Sequence, residues 1–202
     1  MKVEQAARFR MLPRDAGVFD VADRARSAGF VFLSSARWGW GRRELATWLV
    51  HDYRRAAILP TEADLGSEAP SVVLDDDRVT RLVASTRRHV VDMIGSASSS
   101  FAGPTFARDM VDAGLVMGVS DDQGGLGYAP VHRMRMRLVD RLVSLFIADF
   151  LTRPGDYDSL LVCASCDEVS FAWDEVHEDG CEARVHHSGM VVRPRRSTWP
   201  GV

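Results

Sequence analysis

The order of apolar and polar residues predicts several helices and short strands along the first half of the chain. A short capped helix over 20–28 has Gly29 as its stop, and four consecutive apolar residues at 30–33 favour a buried strand. Apolar residues spaced by three and four predict a helix over 42–57. A run of three aspartates opens a longer helix over 75–94, because carboxylates accept hydrogen bonds from the free N–H groups of a helix start.

The next stretch has the order helix, strand, turn and strand. A helix over 105–113 is followed by a strand over 115–119, and a turn rich in Asp and Gly leads to a returning strand over 126–130. With the helix over 75–94 before it, the order helix, helix and hairpin resembles a winged helix; in a DNA-binding version the helix from Thr105 would enter the major groove and the hairpin would touch the backbone. Acidic residues at both contact points would repel phosphate, which favours a protein-binding or structural hairpin. These residues are Asp109, Asp112, Asp121 and Asp122.

The longest apolar helix is predicted to begin at His132 with a stretch of alternating Arg and Met, 132–137, and to end at Pro154. Three charged residues interrupt its apolar part, 138–151, so the pattern excludes a membrane span of about 20 apolar residues. Its remainder is typical of a central core helix or of a dimer interface. Pro154 and the glycine after it mark a domain boundary.

Together these patterns predict an α+β fold built from two unequal units. We expect a loosely ordered start over 1–17 and a mainly helical domain with short strands over 18–154, including a hairpin near 115–130. A small β module over 155–192 and a basic tail over 193–202 complete the chain.

Composition and charge narrow the functional classes. The 202 residues are 46% hydrophobic and 26% charged, which is typical of a soluble globular protein. The net charge of −3 argues against a nucleic-acid-binding surface along the whole chain. Only Lys2 among the 25 basic residues is a lysine, a bias that we take as a clue to a GC-rich bacterial genome. The first five residues lack the features of a secretory signal, so we expect a cytoplasmic protein.

The strongest chemical signal lies near the carboxyl end. Its three cysteines, the only ones in the chain, share one short segment with three of the six histidines. An odd number of thiols in a reducing compartment favours metal binding over disulfides. The cysteines are Cys163, Cys166 and Cys181, and the histidines are His177, His186 and His187.

The predicted strands around these residues would bring them together in one metal site. A strand over 160–162 leads into Cys163-x-x-Cys166, and the chain turns and returns through Cys181 to His186. Three thiolates and one imidazole are a common tetrahedral ligand set for structural zinc. The segment resembles a zinc ribbon over about residues 160–190, although a single Cys and a histidine replace the usual second CxxC or CxxH.

The resemblance implies a structural Zn²⁺ held by Cys163, Cys166, Cys181 and His186. The fourth ligand stays open between His186 and its alternates His187 and His177. The spacing of Cys181 to its histidines differs from that of the usual zinc ribbon. A structural zinc stabilises a fold but does not indicate which reaction, if any, the protein catalyses.

The sequence favours a zinc-stabilised adaptor or regulator that binds another protein or a second copy of itself. No nucleophile-base set, phosphate-binding glycine loop or dinucleotide motif predicts an enzyme or an organic cofactor, and no catalytic residue is assigned. One alternative is a nucleic-acid-binding regulator that uses the hairpin, Arg133, Arg137 and 193–196. Another is a zinc-dependent hydrolase with Glu175 or Glu178 as its base.

Overall fold

The computed structural model describes seven segments of the chain. They are residues 9–35, 39–57, 75–133, 136–163, 169–171, 184–186 and 191–192. Within them the prediction of an α+β fold with short strands and a hairpin is confirmed.

The first helix, α1, is longer than the sequence pattern predicts. It spans Val18–Leu33 without a break, so the predicted stop at Gly29 and the predicted strand over 30–33 are wrong. Ala25, Ala28 and Phe32 are buried on one helical face, while Phe30 packs against Phe146 on another, so consecutive apolar residues occur here without a strand. Gly29 is needed inside the helix for close packing, because a Cβ there would lie 2.7 Å from the Phe146 ring.

The next two helices pack on the carboxyl end of α1. Helix α2, Arg42–Trp48, continues through a π-helical segment, Leu49–Tyr53, and a further turn, Arg54–Ala56. Helix α3 spans Asp76–Gly95. The predicted capping role of its aspartates is confirmed, because the Asp75 side chain accepts a 2.8 Å hydrogen bond from the Arg78 N–H.

The predicted hairpin belongs to a three-stranded sheet. A 3₁₀ turn, Ser99–Phe101, and helix α4, Pro104–Asp112, precede strands β2, Val116–Ser120, and β3, Leu126–Pro130. Strand β1, Phe9–Met11, pairs in parallel with β2, and the sequence pattern does not predict it.

Helix α5, Leu138–Thr152, runs through the centre of the core. It begins at Leu138, so the predicted start at His132 is six residues too early. Its buried side chains, among them Leu142, Leu145 and Phe146, pack with those of α1, α2 and α3 in one apolar cluster. None of the described helices has the length and apolar character needed to cross a membrane.

A second, antiparallel sheet follows a 3₁₀ helix at Pro154–Ser159. Its strands are β4, Leu161–Cys163, β5, Val169–Ser170, β6, Arg184–His186, and β7, Val191–Val192, in the order β5-β4-β6-β7. Strand β4 ends within one residue of the predicted strand over 160–162, and β6 lies in the predicted return from Cys181 to His186.

Candidate functional site

The backbone register of the second sheet bears directly on the predicted metal ligands. Strand β4 pairs with β6 so that Cys163 lies opposite Arg184 and Leu161 lies opposite His186. Cys163 and His186 therefore occupy neighbouring strands at diagonal positions, whose Cα atoms are typically about 7–8 Å apart.

The other predicted ligands lie outside the described residues. Cys166 follows Cys163 by three residues, and Cys181 precedes Arg184 by three. Cys163 and Arg184 are directly paired, and along the chain Cys166 and Cys181 are each three residues from one member of this pair. In the part of the chain that the structure describes, no three His, Cys, Asp or Glu residues form a potential metal site. The proposed hydrolase bases Glu175 and Glu178, and the alternate ligands His177 and His187, also lie outside the described residues.

The second sheet is anchored to the helical domain through Phe171, which directly follows β5. The Phe171 ring packs against Phe30 of α1 and Tyr157 of the 3₁₀ helix, with centroid distances of 5.4 Å in both pairs. The Arg26 guanidinium lies over the same ring, 4.4 Å from its centroid. One aromatic residue thus joins the sheet to two elements of the helical domain.

Beneath this anchor lies a buried charge network centred on Asp149 of α5. The Asp149 side chain is 0% exposed. One carboxylate oxygen, Oδ2, accepts hydrogen bonds from Arg26 Nε at 2.7 Å and from the Tyr157 hydroxyl at 2.9 Å. The other, Oδ1, accepts from Arg153 at 2.7 and 3.1 Å. Asp156 makes a further 2.6 Å contact with Arg26.

The network shifts the ionisation of its members. Burial raises the pKa of Tyr157 well above its ordinary value, and the negative charge of Asp149 adds to the effect. Burial acts to lower the pKa of Arg26, but its hydrogen bonds to Asp149 and Asp156 outweigh burial and leave the pKa raised. Because both Asp149 oxygens are used inside the protein, this arrangement stabilises the fold and offers no free base for catalysis.

A second polar cluster joins α5 to the π-helical segment. His132 Nδ1 and Arg141 Nη1 are 2.8 Å apart, and both residues are buried. Since arginine only donates, Nδ1 is the acceptor and this contact fixes the neutral tautomer of His132 with its proton on Nε2. The Arg141 guanidinium also lies 5.3 Å from the centre of the Tyr53 ring.

Sequence reasoning does not assign Asp149, Arg26 or His132 to any cluster. The available signal is the position of Asp149 itself, three and four residues after the apolar Phe146 and Leu145 on the buried face of α5. A carboxylate on a core-facing stripe indicates a buried ion pair, but its partners come from other elements and have no fixed spacing in the chain.

Two parts of the nucleic-acid alternative, Arg137 and the hairpin, make contacts within the chain, whereas residues 193–196 lie outside the described residues. Arg137 makes two hydrogen bonds to Asp140, at 2.8 and 2.9 Å. At the hairpin, Asp121 accepts hydrogen bonds from the N–H groups of Val18, Gln123 and Gly125. These bonds, led by the one from Val18, lower the pKa of Asp121 and keep a negative charge at the hairpin tip.

Comparison with protein-family models, with curated proteins and with solved structures finds no match for this chain.

Proposed function

We propose that this protein is a zinc-stabilised cytoplasmic adaptor or regulator that acts by binding another protein or a second copy of itself. The observation that carries the metal part is the pairing of Cys163 with Arg184. Cys166 follows Cys163 by three residues and Cys181 precedes Arg184 by three, so this pairing supports a site that contains all three thiols. A fourth ligand from His186, His187 or His177 would complete a closed tetrahedral site, which stabilises a fold and leaves no position for a substrate.

The protein-binding part is supported by an exposed apolar row on the three-stranded sheet. Met11 and Leu126 lie opposite Ser120 from its two sides, on β1 and β3. Both side chains are 64% exposed, although they are large and apolar. Apolar side chains that stand together on a sheet face are typical of protein-binding surfaces. We call Met11, Ser120 and Leu126 the exposed row.

Charge favours a protein over a nucleic acid as the partner of this surface. Asp121, which follows Ser120 directly, keeps its negative charge at the same end of the hairpin. A carboxylate beside the exposed row repels phosphate and does not oppose an apolar protein surface.

Metal analysis tests the first part of the proposal. Purified protein is expected to contain about one zinc per chain. The double variant Cys163→Ser, Cys166→Ser should lose it, whereas His89→Asn, an exposed histidine on α3, should keep it. Separate Asn variants of His186, His187 and His177 identify the fourth ligand. A folded wild-type protein without metal contradicts the proposal.

Surface variants test the second part. Met11→Lys and Leu126→Lys should abolish capture of a partner or self-association measured by sedimentation, while thermal stability stays unchanged. Val50→Lys is a matched control, because Val50 is 54% exposed and lies on the π-helical segment. Equal loss of binding in the control, or strong salt-dependent binding of generic DNA or RNA, argues against the proposal.

A further inference from the structure

A cavity of about 190 Å³ lies between the carboxyl end of α1 and helix α3. It is separate from the second sheet and from the exposed row. The described residues that line it are Ser35, Gly39, Trp40, Thr80, Val83, Ala84, Arg87 and Arg88. Typical ligand pockets measure roughly 300–1,000 Å³, so this volume suits a small ligand.

Ser35 is the most informative residue of the cavity wall. It is 2% exposed, and its hydroxyl has no hydrogen-bond partner among the described residues. Buried hydroxyl groups are nearly always paired, because leaving one unpaired costs free energy. An acceptor atom of a bound ligand would satisfy this hydroxyl.

The charged residues of the cavity wall are positive. Arg87 is buried, and its Nε donates a 2.6 Å hydrogen bond to the Leu33 carbonyl at the end of α1. Arg88 is exposed at the edge of the cavity. The described lining includes no carboxylate. The full positive charge of Arg88 exceeds the partial negative charge of about one half at a helix carboxyl end, so the edge of the cavity attracts an anion.

The rest of the wall is largely apolar. Val83 and Ala84 belong to α3, and the Trp40 backbone is attached to the same helix by a 3.2 Å hydrogen bond from the Thr80 hydroxyl to its carbonyl. Gly39, with φ +58°, has open space around it, since a Cβ there would meet no atom within 4 Å. A cationic edge and an apolar interior suit a ligand with both characters.

We propose that this cavity binds a small monocarboxylate with an apolar body, about the size of benzoate. The carboxylate pairs with Arg88 and accepts a hydrogen bond from Ser35. The apolar body lies against Val83 and Ala84 and against the part of the cavity wall that Trp40 forms. Guanidinium groups bind carboxylates through paired hydrogen bonds, which adds geometric selectivity to the attraction.

Titration of the full chain with benzoate tests the proposal, with affinity measured by calorimetry and location by NMR shifts of the Trp40 indole N–H and the Thr80 amide. Acetate lacks the apolar body, benzyl alcohol lacks the charge, and inorganic phosphate supplies an anion without an apolar part. Benzoate is expected to bind saturably and at least about tenfold more tightly than each of the three.

Two pairs of variants sharpen the test. Ser35→Ala and Arg88→Gln are each expected to weaken benzoate binding about tenfold. The controls Ser85→Ala and Arg81→Gln change exposed residues of α3 outside the cavity lining and should leave the affinity unchanged. Ser35→Ala should also keep or raise the melting temperature, since it removes an unpaired buried hydroxyl.

Several outcomes would overturn the proposal. They are the absence of saturable benzoate binding, equal affinity for phosphate or acetate, and a Ser35→Ala protein that loses thermal stability but keeps its benzoate affinity. Shifts confined to residues away from Trp40 and Thr80 would also count against this cavity as the site.

Discussion

The helical domain and the carboxyl-terminal sheet differ in how much structure each can support by itself. Helix α5 has fifteen residues, and most of them are buried against neighbouring helices and strands. The strands of the second sheet have only two or three residues each. Such short strands bury little apolar area, and small units of this kind commonly depend on a metal or on docking to a larger body.

The two regions also use charge differently. The helical domain keeps Asp149 buried because two arginines and a tyrosine hydroxyl compensate it. The second sheet contacts this network through Phe171, which lies under Arg26. The comparison teaches that the domain is stabilised by its own packing, whereas the sheet is held by contacts with that domain, among them those of Val162, Val169 and Phe171, and, in our proposal, by zinc.

Removal of the metal is expected to have the largest effect and to act on the sheet alone. Structural zinc in zinc-finger peptides contributes roughly 10–16 kcal/mol at pH 7, far more than short strands supply. After chelation, the amides of Leu161 and Val162 should lose hydrogen-exchange protection while those of Leu142 and Leu145 keep it. Equal loss in both regions would show that they fold as one unit.

The next effect in size concerns the buried network. Asp149→Asn leaves two arginines without their carboxylate, and breaking a buried ion pair in this way costs roughly 3–5 kcal/mol. Urea denaturation measures the free energy of unfolding. As a control, Asp140→Asn removes the pair with Arg137, whose side chain is 77% exposed, and should cost less than about 1 kcal/mol. Similar losses in both variants would contradict the buried role of Asp149.

Phe171→Ala tests the anchor between the two regions. Truncation of a fully buried Phe costs roughly 3–5 kcal/mol, and we expect about 2 kcal/mol here because Phe171 is half-buried. The hydrogen-exchange protection of the amides should fall more in β4 than in α5. Phe101→Ala is the control, since Phe101 is 60% exposed and should change stability by less than about 0.5 kcal/mol. An unchanged β4 in the Phe171 variant would show that other contacts hold the sheet.

The smallest expected effect is a change in alkaline stability at Tyr157. Its pKa is raised in the folded protein, while in the unfolded chain the phenol ionises near pH 10. Its contribution to stability is therefore present below about pH 10 and is lost as the pH rises towards the folded pKa. Tyr157→Phe should reduce this alkaline loss in denaturation measured from pH 8 to 11. Identical pH profiles for both proteins would contradict a buried, neutral Tyr157.

Local patterns predict the elements well where burial follows one helical or strand period. The capping aspartates of α3 and the hairpin at 116–130 are confirmed for this reason. The pattern fails at 30–33, where apolar residues on several faces of α1 are covered by different neighbours. Phe32 packs against Trp40 and Trp48, while Phe30 packs against Phe146 and Phe171.

The zinc site and the cavity differ in the same respect, namely whether their residues lie close together in the sequence. The zinc ligands are predicted from sequence because metal ligands cluster at short spacings along the chain, and this site stays a prediction that the register of β4 and β6 supports. The cavity at Ser35 cannot be predicted in this way, because Arg87 and Arg88 come from a helix more than fifty residues further along.

The sequence by itself determined the α+β class, most helix positions, the hairpin and the clustering of thiols with histidines. These features depend on periodicity, capping and spacing, which are local properties of the chain. Only the tertiary structure decided that α1 continues through Gly29, that β1 joins the hairpin and that Asp149 is paired with Arg26 and Arg153. Each of these depends on residues brought together by packing, and the chain carries no local signal for which distant side chain will be the neighbour.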